Sequence, residues 1–240
     1  MNVLPFVQGT PEWLAARTGR ITASRMSAVM AKGKAGAPST TRAAVMGELI
    51  AEYLTGQPTE GYTNADMQRG TDLEPAARAA YEVAKGLMVR EVGLVLHPNN
   101  ERFGASPDGV VDDDGLLEIK CPRTHVHIEY MLAGKPPTQY LPQMAWQAAC
   151  CERKWVDFAS YCPAMPDGLR LFVARYVPTP SYIAELESEA SAFLGEMMAK
   201  IKQLHAIGTP LADILQASIK SGTVDEVLAH GAAVAAVAKG

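Results

Sequence analysis

The spacing of hydrophobic residues predicts helices in the first third of the chain and at its end. In five segments, apolar residues recur three and four positions apart, as on the buried face of a helix. These predicted helices span residues 12–16, 42–54, 66–85, 139–151 and 181–204. A short helix is also expected near Ser24, a possible N-cap. Pro75 is expected to break the third segment locally, and Gly86 suits its C-terminal cap.

The middle of the chain changes to the pattern of strands. The predicted strands span residues 89–97, 102–105, 109–120, 155–162 and 169–177. The third of these is expected to fold back as a hairpin, because the run from Asp112 to Gly115 has the composition of a tight turn. The order of the elements therefore predicts an α/β or α+β fold, in which helices flank one central mixed sheet.

One domain, residues 1–204, is expected to contain this sheet. The chain has 240 residues, of which 48% are hydrophobic, and this is enough for a single sizeable core. From residue 205 to residue 240 the sequence becomes rich in alanine and weakly charged. We therefore predict that residues 205–240 form a helical or poorly ordered appendage.

The composition argues against several classes of protein. The four cysteines form no Cys-x-x-Cys pair, so neither a disulfide framework nor a zinc site is expected. No apolar run approaches the ~20 residues that a membrane span requires, and the N-terminus has no targeting pattern. We therefore expect a cytoplasmic protein without a membrane partner.

A basic segment near the N-terminus contrasts with an otherwise acidic chain. Between residues 13 and 47 there are six basic residues and no aspartate or glutamate. They are Arg17, Arg20, Arg25, Lys32, Lys34 and Arg42. Because the whole chain has a formal net charge of −4, the remainder carries about −10. Such a run is either a solvated face or a surface for phosphates. Part of it, residues 32–41, is predicted to be a mobile loop.

Two carboxylates and a lysine are expected to meet at one end of the predicted hairpin. Glu118 and Lys120 are two positions apart on a strand, so they share a face, while Ile119 points into the core. The turn at Gly115 returns this strand beside the segment that ends at Asp108. Carboxylate oxygens suit a hard cation such as Mg²⁺ or Mn²⁺, which can polarise a phosphate and activate a water molecule. The pattern therefore indicates phosphodiester hydrolysis.

Other interpretations of these residues remain open. Three charged residues at loose spacing are common, and they could be exposed polar residues beside a turn. The acidic run 112–114 is a rival metal site, but it lacks the glutamate that a calcium-binding loop needs at its twelfth position. His125 and His127 lie in a predicted loop and are weak evidence for a zinc pair.

Five sequence blocks, in order, resemble the lambda-exonuclease or YqaJ-type viral recombinases of the PD-(D/E)xK nuclease superfamily. The blocks are Arg17-Thr-Gly-Arg-Ile-Thr-Ala-Ser24, Arg69-Gly-Thr-Asp-Leu-Glu74, Ala105-Ser-Pro-Asp-Gly109, Leu117-Glu-Ile-Lys-Cys-Pro122 and Tyr140-Leu-Pro-Gln143. Each block alone is a weak signal, but the ordered set is specific and the resemblance covers most of the chain. It implies a restriction-endonuclease-like core. It also implies a 5′ to 3′ exonuclease that degrades one strand of linear duplex DNA to mononucleotides, leaving a 3′ overhang for recombination by strand annealing.

The resemblance also implies roles for individual residues around the metal. Asp108 and Glu118 are expected to ligate two Mg²⁺ or Mn²⁺ ions per active site, together with the main-chain carbonyl of Ile119. Glu74 is expected to lie close by. Lys120 is expected to position the nucleophile.

Further residues match positions that contact DNA in the family. The resemblance implies a pocket for the 5′ phosphate, built from Arg17, Ser24, Ser106 and Gln143. An arginine suits such a pocket because it can hold a phosphate through two parallel hydrogen bonds. Met67 matches an apolar wedge at the duplex end, and Lys34 falls near an arginine that follows the DNA groove. The other basic residues of the N-terminal segment are expected to contact DNA as well.

The expected partners are double-stranded DNA ends, two further copies of this chain in a ring of three, and a single-strand annealing protein. Two other functions stay open. A structure-specific or nicking endonuclease of the same superfamily would use the same chemistry without a terminal phosphate. A non-catalytic DNA-end-binding protein would not cut at all, and the intact acidic pair with its lysine argues against it.

Overall fold

The computed structural model of the chain describes residues 1–33, 39–59 and 65–220, and at 65–67 and 209–220 it describes the backbone only. The chain divides into two units. The first, Met1–Leu194, contains every described strand, and the second begins at Gly195 within the last helix. No helix of the described ranges is both long enough and apolar enough to span a membrane.

Helices precede, interrupt and follow the strands, as the sequence pattern predicts. The described α-helices are α1 (Pro11–Arg17), α2 (Met26–Val29), α3 (Thr40–Thr55), α4 (Ala65–Lys85), α5 (Thr124–Ala133), α6 (Leu141–Cys151) and α7 (Pro180–Lys220). The described strands are β1 (Asn2–Val3), β2 (Ile21–Thr22), β3 (Val89–Arg90), β4 (Val95–His97), β5 (Asn100–Ala105), β6 (Gly109–Val111), β7 (Gly115–Lys120), β8 (Trp155–Tyr161) and β9 (Leu171–Tyr176).

Local capping chemistry explains where several helices begin and end. Thr10 precedes α1 and its hydroxyl accepts the Trp13 amide at 3.3 Å, while Ser39 does the same for α3. Gly86 ends α4 with a φ of +66°, which glycine adopts without strain. Ser24 does not act as an N-cap, because it lies inside the 3₁₀ helix Ala23–Arg25, which runs directly into α2.

Pro75 does not break α4, which is continuous from Ala65 to Lys85. A proline removes one hydrogen bond from a helix interior, and here tertiary packing of the helix outweighs that loss. The last predicted helix is longer than expected, because α7 continues past residue 204 to Lys220. The proposed boundary at residue 204 therefore falls inside a helix, and residues 221–240 lie outside the described part of the chain.

The strands form two mixed sheets, so the α+β class is confirmed but the prediction of one central sheet is wrong. The first has the order β1-β4-β5-β2 and the second the order β3-β6-β7-β8-β9. In the first sheet β2 and β5 are parallel, and in the second β7 and β8 are parallel. All other described pairs are antiparallel.

The predicted strand 89–97 divides between the two sheets at Gly93. Val89–Arg90 pairs with β6, whereas Val95–His97 pairs with β5. The N-terminal segment crosses the chain at this point, because the Leu4 amide donates to the Leu94 carbonyl at 2.8 Å. A Cβ atom at Gly93 would lie only 2.1 Å from the Phe6 carbonyl oxygen, so the crossing requires a glycine there.

The predicted hairpin is confirmed, with β6 and β7 antiparallel. Asp112 starts its turn in the left-handed region at a φ of +46°, a conformation that aspartate tolerates better than most residues. At Gly115 a Cβ atom would lie 2.1 Å from the Trp155 ring, so a larger residue would clash with the neighbouring strand. These two residues set the register of the hairpin.

Helices α4 and α6 cover opposite faces of the five-stranded sheet. Leu116 packs with Met144 and Ala148 of α6, and Leu117 and Ile119 pack with residues of α4. Alternate residues of β7 therefore face different helices, and Glu118 shares its face with Leu116. A buried carboxylate on β8, Asp157, also ties α4 to the sheet. It accepts hydrogen bonds from Tyr81 of α4 at 2.8 Å and from Arg175 of β9 at 2.8 and 2.9 Å.

Candidate active site

The loop before the hairpin holds Asp108 against the strand that carries Glu118. The Asp108 amide donates to the Leu117 carbonyl at 3.1 Å, which continues the β6–β7 pairing into the loop. In return the Ile119 amide donates to Asp108 Oδ2 at 2.6 Å. The Asp108 carboxylate is therefore fixed to β7 beside the position from which Glu118 projects.

Glu118 and Lys120 lie on the same face of β7 and form an ion pair. The Glu118 side chain is only 1% exposed. Two glutamines of α6 also donate to it, Gln143 to Oε1 at 2.7 Å and Gln147 to Oε2 at 2.5 Å. Both carboxylate oxygens are thus engaged, and a metal ion bound to Glu118 must share an oxygen with one of these donors or displace it.

An open cavity of about 640 Å³ lies in front of this cluster. It is lined by Arg69, Gly70, Thr71, Glu74, Asp108, Ile119, Lys120, Cys121, Pro122, Arg123, His125, Val126 and Tyr140. Glu118 does not line the cavity itself, whereas Lys120, with which it is paired, does. Glu74 enters the cavity from α4, where Arg78 donates to its Oε1 at 2.7 Å. The structure thus brings Asp108, Glu118, Lys120 and Glu74 together around one opening.

The charges of this cluster disfavour one another in the absence of a cation. Burial, and then the charge of Glu118, raises the pKa of Asp108 well above its usual range. Burial also raises the pKa of Glu74, although Arg78 opposes this. Burial alone would lower the pKa of Lys120, but the charges of Glu118 and Asp108 outweigh it and raise that pKa. Without a bound cation, the two carboxylates therefore favour the ammonium form of Lys120, which donates hydrogen bonds.

The donor set fits Mg²⁺ or Mn²⁺ better than a metal that needs a closed protein cage. In the described ranges no group of three His, Cys, Asp or Glu side chains is placed to hold an ion. Mg²⁺ needs only one or two carboxylates, because it keeps several waters and also binds substrate phosphates. Asp108, Glu118 and the Ile119 carbonyl offer that set. The excess of buried negative charge in the cluster favours a divalent cation.

A second polar cluster contains three of the four residues predicted to bind a phosphate. Arg17 donates to Ser24 Oγ at 3.1 Å and to Ser106 Oγ at 3.4 Å. The Trp13 indole donates to Ser106 Oγ at 3.0 Å, and its ring lies 4.3 Å below the Arg17 guanidinium. Burial, and then the charge of Arg25, lowers the pKa of Arg17 to about 10, so the guanidinium is still charged at neutral pH.

The fourth predicted phosphate ligand, Gln143, donates to Glu118 instead of joining the cluster around Arg17. Its assignment to the phosphate stays a prediction. The two clusters are nevertheless linked covalently, because Ser106 and Asp108 are two residues apart in the same short loop between β5 and β6. This connection joins the arginine cluster to the carboxylates around Asp108 through one short loop.

The other basic residues of the N-terminal segment have different surroundings. Arg20 donates to the main-chain carbonyls of Ala16 and Glu101, and Arg25 forms ion pairs with Glu48 and Glu52 of α3. These contacts indicate structural roles, and they partly neutralise the segment. Lys32 is exposed, and the Arg42 guanidinium lies 4.8 Å over the Phe193 ring. Lys34 and the side chain of Met67 lie outside the described residues.

The prediction that His125 and His127 lie in a loop is wrong, because both belong to α5. His127 is fully buried, with its ring nitrogens 2.7 Å from Ser160 Oγ and 2.9 Å from the Leu169 carbonyl, so packing accounts for it. His125 is exposed at the cavity. All four cysteines are free thiols, as predicted. Burial raises the pKa of Cys121, which lines the cavity, to about 11 and so makes it unreactive.

Gln147 contacts the candidate site through Glu118, and the sequence analysis did not predict it. It lies one helical turn after Gln143 on α6, so both side chains point from the same face of that helix. A pair of glutamines with this spacing, in a helix that is otherwise apolar, was the available signal. Both glutamines donate to Glu118 on β7, which is distant in the sequence, and the spacing alone does not reveal this partner.

Two acidic residues and a lysine thus lie together on a mixed sheet. Glu118 and Lys120 are on β7, and Asp108 is in the loop that precedes the hairpin. The chain belongs to the family described as the YqaJ-like viral recombinase domain, which it matches over residues 12–154. This confirms the resemblance seen in the five sequence blocks. The comparison with curated proteins gave no match.

Among solved structures, the chain is similar to the alkaline exonuclease LHK-Exo from Laribacter hongkongensis. The two are 48% identical with a TM-score of 0.78, over 84% of this chain and 100% of the other. A structure of LHK-Exo in complex with dAMP gives a TM-score of 0.79 at the same identity and coverage. A phage-related exonuclease from Haemophilus somnus 129PT is 15% identical over 77% of this chain and 96% of its own, with a TM-score of 0.61, and shares the fold alone. The more similar relative supports an exonuclease activity.

Replacing Asp108 by asparagine is expected to stabilise the protein in the absence of metal. Asparagine keeps an oxygen that can accept the Ile119 amide, but it removes a buried charge beside Glu118. Because folding raises the pKa of the Asp108 carboxyl, the folded parent binds its proton more tightly than the unfolded chain does. The parent therefore loses stability as pH rises from the ordinary carboxyl range toward that raised pKa, and the Asp108→Asn variant is spared this loss.

Thermal melting in EDTA across about pH 5 to 9 measures this difference. We expect Asp108→Asn to melt several degrees above the parent at the alkaline end, since ~1 kcal/mol corresponds to about 2–4 °C in a chain of this size. Asp113→Asn, on the exposed turn of the same hairpin, is the matched control and should not change the melting temperature. A lower melting temperature for Asp108→Asn in EDTA would contradict the electrostatic account.

Proposed function

We propose that the chain is an exonuclease that uses Mg²⁺ or Mn²⁺ and degrades one strand of linear duplex DNA from its 5′ end. The products are mononucleotides and a 3′ single-stranded overhang suited to recombination by strand annealing. The observation that carries this proposal is the loop 106–108, which joins the cluster around Arg17 to the carboxylates around Asp108. A group that can hold a terminal phosphate thus lies beside a group that can cut the next phosphodiester bond.

The residues around the cavity divide the chemistry between them. Asp108, Glu118 and the Ile119 carbonyl would hold the metal, which would supply a positive charge to polarise the phosphate and to acidify a bound water. Lys120, which is paired with Glu118 and lines the cavity, would orient the attacking water through a hydrogen bond. Glu74 faces the same cavity from α4 and is available to accept a hydrogen bond from that water.

The similarity to LHK-Exo adds independent support for this substrate class. That protein is an alkaline exonuclease, and one of its structures contains dAMP, a deoxynucleoside monophosphate. A mononucleotide of this kind is the product that the proposed reaction releases.

Removing any one of the three central side chains is expected to abolish nucleotide release. Loss of a metal ligand or of the positioning ammonium removes several kcal/mol of transition-state stabilisation, which is more than about a hundredfold in rate. The test measures acid-soluble nucleotides from linear duplex DNA for Asp108→Ala, Glu118→Ala and Lys120→Ala. Asp113→Ala, an acidic residue on the same hairpin, should keep the parent rate. Near-parent rates in any two of the three variants would refute the assigned site.

A covalently closed circular duplex separates the proposed exonuclease from the two alternatives. An exonuclease leaves the circle intact but degrades it once it is linearised, because it needs an end. A structure-specific or nicking endonuclease would open the circle. A non-catalytic end-binding protein would retard linear DNA in a gel and cut neither form with any divalent cation.

The arginine cluster predicts that 5′-phosphorylated ends are degraded faster than 5′-hydroxyl ends. A charge-assisted hydrogen bond is worth about 1.5–3 kcal/mol, so the preference is expected to be roughly ten- to a hundredfold. Arg17→Ala should remove most of this preference while leaving slow degradation of hydroxyl ends. Arg170→Ala, a half-exposed arginine paired with Asp167, should keep it. Equal parent rates on both ends would exclude a phosphate pocket.

We also propose that three chains form a ring around the DNA. A threaded duplex cannot diffuse away between successive cuts, so a ring accounts for degradation of long substrates even when each subunit binds weakly. A twofold dimer has the higher general frequency among homo-oligomers and is the alternative. Light scattering should give three times the 25.7 kDa mass of one chain, whereas a monomer that still degrades long duplexes without release would exclude the ring.

A further inference from the structure

Helix α6 holds the Glu118 carboxylate from behind through two glutamines. Gln143 donates to Oε1 at 2.7 Å and Gln147 donates to Oε2 at 2.5 Å. The two glutamines are four residues apart, so they lie one above the other on the helix face that packs against β7. Each oxygen of the carboxylate therefore has its own amide donor.

The surroundings of the two glutamines differ. Gln143 is partly exposed, and Oε1, to which it donates, is also bound by Lys120 at the cavity wall. Gln147 is fully buried. Among the described contacts, the donor to Glu118 Oε2 is Gln147, whereas Lys120 lies at the other oxygen. Oε1 is thus the oxygen placed to reach a ligand from the cavity, and Gln147 holds the opposite oxygen.

Gln147 occupies its place at a cost in stability. Its own carbonyl oxygen, Oε1, is buried without a hydrogen-bond partner. Burying an amide oxygen without a partner is unfavourable, so an apolar residue of the same shape would fit this core position better. A polar residue that persists under such a cost indicates a role outside packing.

We propose that Gln147 is a positioning residue for the metal site. Its amide holds the Glu118 carboxylate so that Oε1 of Glu118 faces the cavity. This inference rests on the proposed use of Glu118 as a metal ligand. Gln147 itself contacts neither metal nor DNA. Groups that hold a metal ligand from behind typically change metal affinity by roughly 10- to 100-fold when they are removed.

The test measures Mn²⁺ binding to the full chain by electron paramagnetic resonance in the absence of DNA. Gln147→Met keeps the linear shape of the side chain and removes the amide donor. We expect its dissociation constant for Mn²⁺ to rise roughly 10- to 100-fold relative to the parent. The cleavage rate should recover toward the parent value at saturating Mn²⁺, because the metal site is weakened and not removed. Gln147→Leu serves as the second variant if Gln147→Met does not fold.

Trp146→Phe is the matched control on the same helix. The Trp146 indole N–H is also buried without a partner, so this change likewise removes an unpartnered polar atom from the core next to Gln147. It also leaves a small cavity and is expected to lower the melting temperature. Mn²⁺ affinity should not change in this variant. A loss of affinity in Trp146→Phe equal to that in Gln147→Met would show a general effect of destabilisation and would overturn the proposal.

Unchanged Mn²⁺ affinity in both Gln147 variants would also overturn it. This failure can be distinguished from a failure of the proposed function. A parent chain that binds Mn²⁺ and loses that affinity in Gln147→Met, yet cuts no DNA, keeps the positioning role and excludes the nuclease. A parent chain that cuts DNA while Gln147→Met binds Mn²⁺ as tightly as the parent keeps the nuclease and excludes the positioning role.

Discussion

The hydrogen bond from the Ile119 amide to Asp108 Oδ2, 2.6 Å long, sets the geometry on which the site depends. It fixes one carboxylate to β7 at the position next to the other. Alternation along the strand then sends Glu118 and Lys120 toward α6 and Ile119 toward α4. A slip of one residue between β6 and β7 would exchange these faces and bury the wrong side chains. The tight contact of Gly115 with Trp155 holds β7 against its other neighbour, β8.

The same geometry concentrates negative charge in a largely buried cluster. Asp108 and Glu74 line the cavity, and Glu118 is buried beside them. Their charges are offset by Lys120 and Arg78 and by the amides of two glutamines. These donors offset part of the negative charge of the cluster in the absence of a cation, but they do not neutralise it. The divalent ion that we propose for this site would offset the remaining negative charge and stabilise the protein. The loop 106–108 then joins this charge to the cluster around Arg17, which we propose binds the phosphate.

Local patterns in the sequence were sufficient to predict the hairpin and its three charged residues. Strand alternation and the turn residues at 112–115 act over a few positions, and both appear directly in the sequence. The division of segment 89–97 was not predictable in this way, because it depends on the crossing of the N-terminal segment at Gly93. The pairing of Arg25 with α3 and the contact of Gln147 with β7 likewise depend on distant residues. Periodicity shows which face a residue is on, but it does not show which partner meets that face.

The central claim is that the carboxylate cluster and the arginine cluster act together on the 5′ end of a duplex. The most direct test is digestion of one linear duplex with Mg²⁺, labelled in separate samples at the 5′ or the 3′ end. We expect the 5′ label to be released first, as a mononucleotide, while the 3′ label stays on long single strands until late in the reaction. Early release of the 3′ label as mononucleotide, with the 5′ label retained on long strands, would contradict the account.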